Sequence, residues 1–182
     1  MQIYQKHLQG SGGGRRGHLQ TDVLRAATVF LHASLENFLR SLSYWKLPSA
    51  NKDVIDKIPI SGSEGNAKKF FLGELVAHRG KSVDKLIKES VSQYLERSNY
   101  SSINELTSFL SSISVIPQNV NSEFSSLEDL MKRRHQIVHR ADIDESGGQG
   151  RHKVKSIGVA QVNNWVSSVE KFSASVLNEI GS

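Results

Sequence analysis

Apolar residues recur at spacings of three and four along most of the chain, the pattern of helices that bury one face. In "HLQTDVLRAATVFLHASLENFLRSLSYW", Leu24, Ala27, Leu31, Leu35, Phe38 and Leu42 follow this rhythm. They predict a long first helix, with Thr21 or Asp22 as its cap. Pro48 and the polar run behind it predict a loop to about Gly65. "NAKKFFLGELVAHRG" predicts a shorter helix that stops at Gly80, because glycine tolerates the left-handed turn that ends helices.

"KSVDKLIKESVSQYLERS" repeats the pattern, with Val83, Leu86, Ile87, Val91 and Leu95 facing one way. "SSINELTSFLSSI" opens on Ser102 and Glu105 in the spacing of a capping box. "SSLEDLMKRRHQIVHRAD" opens on Ser125 and Glu128 in the same relation, and Leu127, Leu130, Met131 and Val138 supply its stripe. The last segment is the clearest: Val159, Val162, Trp165, Val166, Val169, Phe172, Val176 and Ile180 form one continuous face. "KVKSIGVA" suits an extended chain, but one segment makes no sheet, and no internal repeat is visible. The predicted fold is all-α, a bundle of five or six helices. It occupies residues 18–182 as a single domain, behind a flexible segment 1–17. That segment contains "GSGGGRRG", which lacks the Gly-Lys-Ser/Thr ending of a P-loop and reads as a connector.

Composition narrows the function classes. The 182 residues fit one domain, and the absence of cysteine excludes disulfides and thiolate zinc sites. No apolar run reaches the length of a transmembrane helix, and the N-terminus lacks the apolar centre of a signal peptide. A soluble, cytoplasmic protein with no membrane partner is expected. The net charge of +5 and pI of about 9.5 favour a polyanion partner, although solubility alone also uses such an excess.

The cationic and imidazole groups crowd into "MKRRHQIVHRAD", Met131 to Asp142: Arg133, Arg134, His135, His139 and Arg140. His135 and His139 are one helical turn apart and share a face. Such a pair can bind metal, but the zincin motif needs Glu where Gln136 stands. No third ligand is evident beyond Asp142 or Asp144, and three arginines oppose a cation. No metal and no other cofactor is expected. Phosphate suits the site better, since Arg offers a fixed fork of donors and His moves protons near neutrality. RNA cleavage needs both: a group that takes the 2′-OH proton or protonates the leaving 5′-oxygen, and a charge that steadies five-coordinate phosphorus. Of the remaining histidines, His7 and His18 lie near the N-terminus, while His32 and His78 read as surface or satisfied core groups.

At this motif the chain resembles the HEPN superfamily of RNases. The superfamily carries an Arg, then four to six residues that begin with a polar one, then a His. Arg134 to His139 is similar to the four-spacer form, with His135 at the polar position, and Arg133 to His139 to the five-spacer form. "LHASLENFLRSL", "LVAHRGKSVDKLIKESVSQYLERS" and "MKRRHQIVHRAD" together look like the RiboL-PSP branch, over roughly Gln20 to Ile180. The resemblance implies a metal-independent endoribonuclease, often a toxin or anti-phage effector, that acts on RNA as a homodimer with both motifs in one cleft. It assigns His139 as general acid or base, Arg134 as transition-state stabiliser and His135 as an orienting or substrate-binding group. It leaves Arg133 in support, and Glu36 as the carboxylate some members take from a neighbouring helix. A helix-surface or salt-bridging carboxylate is the favoured reading of Glu36. Some HEPN toxins carry a Tyr two residues after the His, which a nucleotidyltransferase antitoxin modifies. Here Ala141 occupies that place, so any antitoxin partner is expected to act otherwise.

Arg134 and His139 lie about 140° apart on an ideal helix, so they do not share a face. A two-fold dimer eases this by letting each motif face its twin. The expected interface uses residues 125–140 and part of the first helix. Lys132 and Arg140 are the expected RNA contacts, flanked by Arg133, Arg151, His152, Lys153 and Lys155, and single-stranded RNA is the expected substrate. For residues 151–155 a solvated basic rim is the favoured reading. Two further readings remain open. One is a silent HEPN-like module that binds RNA or protein; the other is a scaffold whose arginines pair with Glu128 or Asp142.

Overall fold

The longest apolar stripe forms the longest helix. In the computed structural model, which describes residues 18–62, 72–144 and 153–181, α1 runs His18–Lys46. It begins ahead of Thr21 and Asp22, so neither is its cap. Both are instead engaged by Arg25, whose Nη1 donates to Thr21 Oγ1 at 2.6 Å and to Asp22 Oδ1 at 3.1 Å. The expected loop after Pro48 holds a short helix, α2 (Lys52–Ile55), capped by the Asn51 side chain. The expected flexible segment 1–17 lies outside the described residues.

The segment before Gly80 departs from expectation. Its described part, Leu72–His78, is a 3-10 helix with no buried side chain, and residues 66–71 fall outside the description. A helix with no face to bury lacks the packing that stabilises most α-helices. Gly80 itself has φ +79°, as its place at the end requires. α3 (Val83–Glu96) is capped by Ser82 and buries Val91 and Leu95, whereas Val83 in its first turn is exposed rather than in the core. α4 (Ile103–Ser112) carries the predicted capping box between Ser102 and Glu105.

α5 (Phe124–Arg140) lacks the second predicted box. A 3-10 turn, Asn121–Glu123, leads into it, so the helix begins before Ser125 and Glu123 stands at its cap with no side-chain bond. Glu128 is instead paired with Lys132 at 2.7 Å. α6 (Val159–Gly181) buries Val162, Trp165, Val169, Phe172 and Val176 along the expected stripe.

α1 is the central helix and packs on α3, α5 and α6. Leu35, Leu39, Leu127, Leu130, Trp165 and Phe172 are all essentially inaccessible. Each such burial contributes roughly 1.5–3 kcal/mol relative to exposure. Trp165 also donates its indole N–H to Asp129 at 3.1 Å, which fixes α6 against α5. Two short strands, β1 (Ile143–Asp144) and β2 (Lys153–Val154), pair antiparallel with Ile143 opposite Val154. This is the only strand pairing among the described residues, so "KVKSIGVA" is partly extended while the fold is all-α.

Candidate functional site

Each residue of a helix turns about 100° from the last, so the adjacent arginines of α5 meet different surroundings. Arg133 points inward and is 3 % exposed. Its Nη2 donates to Asp142 Oδ2 at 2.8 Å and to the carbonyls of Lys155 and Ser156 at 2.9 and 3.0 Å. Arg25 on α1 donates Nε to the same Oδ2 at 2.8 Å and Nη2 to the Lys155 carbonyl at 3.1 Å. One buried carboxylate thus serves two guanidiniums. Burial pushes the Arg133 pKa down, Asp142 opposes this and Arg25 reinforces it.

The chain must reverse sharply to bring Asp142 back beneath its own helix. It does so through two left-handed residues, Ala141 at φ 48° and Asp142 at φ 58°. The Asp142 amide donates to the Gln136 carbonyl at 3.0 Å, and the Asp142 carbonyl accepts from Lys155 N at 2.8 Å. A left-handed non-glycine residue costs roughly 1–2 kcal/mol, least for Asp, and the ion pairs offset that cost. The result is a clasp joining α1, α5 and the segment after β2. Arg133, expected to support catalysis, has its Nη2 committed to this clasp, which disfavours the five-spacer form of the motif.

Arg134 turns the other way. It is half-buried and makes no hydrogen bond or ion pair with any described residue. Its charge bears on His32 of α1, which is 1 % exposed. Burial holds the His32 pKa below its ordinary value; the Glu36 carboxylate raises it, Arg134 lowers it and the Tyr100 backbone raises it. His32 Nδ1 lies 3.6 Å from Glu36 Oε2, just beyond a hydrogen bond, and neither ring nitrogen has a hydrogen-bond partner. His32 thus has the Glu36 carboxylate on its own helix and feels the Arg134 charge from α5.

His135 and His139 are exposed, with ring centroids 4.7 Å apart. Val138, expected in the core, is 47 % exposed. On the helical wheel it falls about 40° from Arg134, at the margin between that residue and the imidazoles. Lys132 is exposed but paired with Glu128, and Arg140 is exposed.

The RiboL-PSP-HEPN family model matches residues 2–181. The chain belongs to the RiboL-PSP-HEPN family. No curated protein and no solved structure matches it. Membership points to a nuclease or RNA-binding role, and HEPN domains are commonly RNases.

In this RiboL-PSP-HEPN chain the expected site residues form two groups on α5. Arg134 bears on the buried His32; His135 and His139 lie together on the exposed face. Lys155 contributes its backbone to the clasp, while Arg151, His152 and the Lys153 side chain lie outside the described residues. No three potential ligands among His, Cys, Asp and Glu gather to hold a metal among the described residues. No helix among them is long and apolar enough to cross a membrane. Two participants escaped sequence reasoning. Arg25 meets Asp142 across 117 positions, a separation no spacing rule connects. His32 did carry a signal, because it shares the face of Leu35 and Leu39, where an imidazole must be buried.

Proposed function

We propose that this protein is a metal-independent endoribonuclease that cuts RNA by attack of its own 2′-OH. The observation that carries this reading is the contrast on α5: Arg134 has unspent donors on one face and His135 and His139 are exposed on another, within a family whose domains are commonly RNases. In the reaction the 2′-oxygen bonds to the adjacent phosphorus and the P–O5′ bond breaks. The products are a 2′,3′-cyclic phosphate and a 5′-OH end. His139 takes the 2′-OH proton or supplies one to the departing 5′-oxygen, and His135 beside it orients the ring or shares that traffic. Arg134 donates to the non-bridging oxygens as charge builds on phosphorus. Lys132 and Arg140 hold the flanking backbone electrostatically.

Arg134 and His139 lie on different faces of one helix, so the working site is composite. A two-fold pairing of α5 sets one chain's Arg134 near its twin's His139. The same separation favours the second reading, a silent module that binds RNA or protein through this surface. A growth defect on expression, relieved by His139→Ala, is the expected sign of a toxin or defence role.

One substitution in the substrate tests the chemistry. An oligoribonucleotide with a single 2′-deoxy sugar at the mapped cut site should resist cleavage there and remain cleavable elsewhere. Unchanged cutting at the deoxy position would exclude 2′-OH attack, and no cutting of the all-ribose strand by the wild type would leave the binding-module reading.

A further inference from the structure

His135 and His139 can do more than move protons. They stand one helical turn apart on α5, both exposed, with ring centroids 4.7 Å apart and ring planes tilted by 43°. Uncharged imidazole keeps one nitrogen lone pair and is the commonest protein ligand for metal ions. Two nitrogens bound to one tetrahedral ion sit roughly 3 Å apart, since each metal–nitrogen bond is about 2.0–2.1 Å. Two rings at this separation reach that spacing by turning about χ2, a soft torsion for histidine, with no change in the helix. In the sequence, three arginines beside the pair oppose a cation; the structure turns them elsewhere. Arg133 points inward and is bound to Asp142. Every arginine of the run falls about 100° or more from either imidazole on the helical wheel. Lys132 does lie on the histidine side, but it is paired with Glu128 at 2.7 Å.

We propose that His135 and His139 form a two-imidazole clamp for a divalent transition ion, Zn²⁺ or Cu²⁺, that switches the RNase site off. The switch rests on the proposed RNase function; the clamp does not. A bound ion occupies the ring nitrogens through which the reaction moves its protons. The metal is thus an inhibitor rather than a participant, and EDTA gives the uninhibited protein. Two protein ligands leave the other coordination positions to water. The site therefore exchanges its ion, unlike the closed four-ligand sites that hold a fold together. Selectivity follows from the donors, because imidazole suits Zn²⁺ and Cu²⁺ whereas Mg²⁺ and Ca²⁺ take oxygen.

The test titrates chelator-free protein with ZnCl₂ and follows the imidazole ring signals by NMR, with RNA cleavage measured in parallel. The His135 and His139 signals should change together with one midpoint, and MgCl₂ at the same concentration should move neither. His135→Ala or His139→Ala should weaken the response of the remaining ring at least about tenfold, because the lost nitrogen binds as an intramolecular second ligand. Cleavage by the wild type should fall in step with the ring signals and return when EDTA is added. A response by one ring alone, or an unweakened response in either alanine variant, would overturn the clamp. Undiminished cleavage with both rings saturated would overturn the switch. If the wild type does not cut RNA at all while both rings respond together, the RNase reading falls with its switch and the clamp stands.

Discussion

Arg133 and Arg134 are adjacent and chemically identical, and they meet opposite fates. Arg133 is buried, with its Nη2 spent on Asp142 and two carbonyls. Arg134 is half-buried, with no described hydrogen bond or ion pair. The difference is one helical step of about 100°. A basic run can therefore be half scaffold and half site. The scaffold half is the one with an acidic partner delivered by the turn after the helix. Arginine suits both roles, because it stays charged when buried and presents a fork either to a carboxylate or to phosphate.

The largest expected contrast is in activity. Arg134→Ala and His139→Ala should each reduce RNA cleavage by roughly 10²–10⁴, the range for losing a charge stabiliser or a general acid–base group. Their unfolding free energies, read by urea denaturation, should stay within about 0.5 kcal/mol of wild type. Arg133→Ala should do the reverse. Removing one partner of a buried pair costs about 3–5 kcal/mol, read by urea denaturation, while the folded fraction keeps its activity per molecule. Equal stability losses for the two alanine variants would erase the distinction.

The next effect concerns pH and the α1 side of Arg134. Burial holds the folded His32 pKa below its ordinary value. Below the unfolded value, about 6.5, the unfolded chain therefore binds the extra proton first. Stability should fall as pH drops below that value and level off once the folded pKa is passed, with a slope of at most about 1.4 kcal/mol per pH unit for one proton. Urea melts across this window should show the component in wild type and lose it in His32→Leu. The smallest effect is at the turn that brings Asp142 to Arg133. Ala141→Gly should stabilise by up to about 1 kcal/mol, because glycine removes the left-handed penalty, partly offset by its greater unfolded-state freedom. A loss of stability there would mean that the Ala141 methyl does more than tolerate the turn.

Much of the fold was legible because the helices follow local rules. The stripes of α1 and α6 and the Ser102–Glu105 box lie in contiguous sequence and need no knowledge of the rest. The failures came where tertiary surroundings decide. Val83 and Val138 obey helical spacing at helix ends that run beyond the core, so both are exposed. Ser125 and Glu128 have the letters of a capping box, but a 3-10 turn starts α5 before them. The motif itself was visible, and pairing of its arginines with Asp142 was a foreseeable alternative. Which arginine would take that role was not, because the answer depends on two left-handed residues and on Arg25 far along the chain.

The most direct measurement incubates purified wild type, Arg133→Ala, Arg134→Ala and His139→Ala with total RNA in EDTA, with rates corrected for folded fraction. Cleavage by wild type and Arg133→Ala, with 2′,3′-cyclic phosphate ends, and none by Arg134→Ala or His139→Ala, is the expected result. Cutting by Arg134→Ala at the wild-type rate, or loss of cutting in folded Arg133→Ala, would contradict the division of labour between the two arginines.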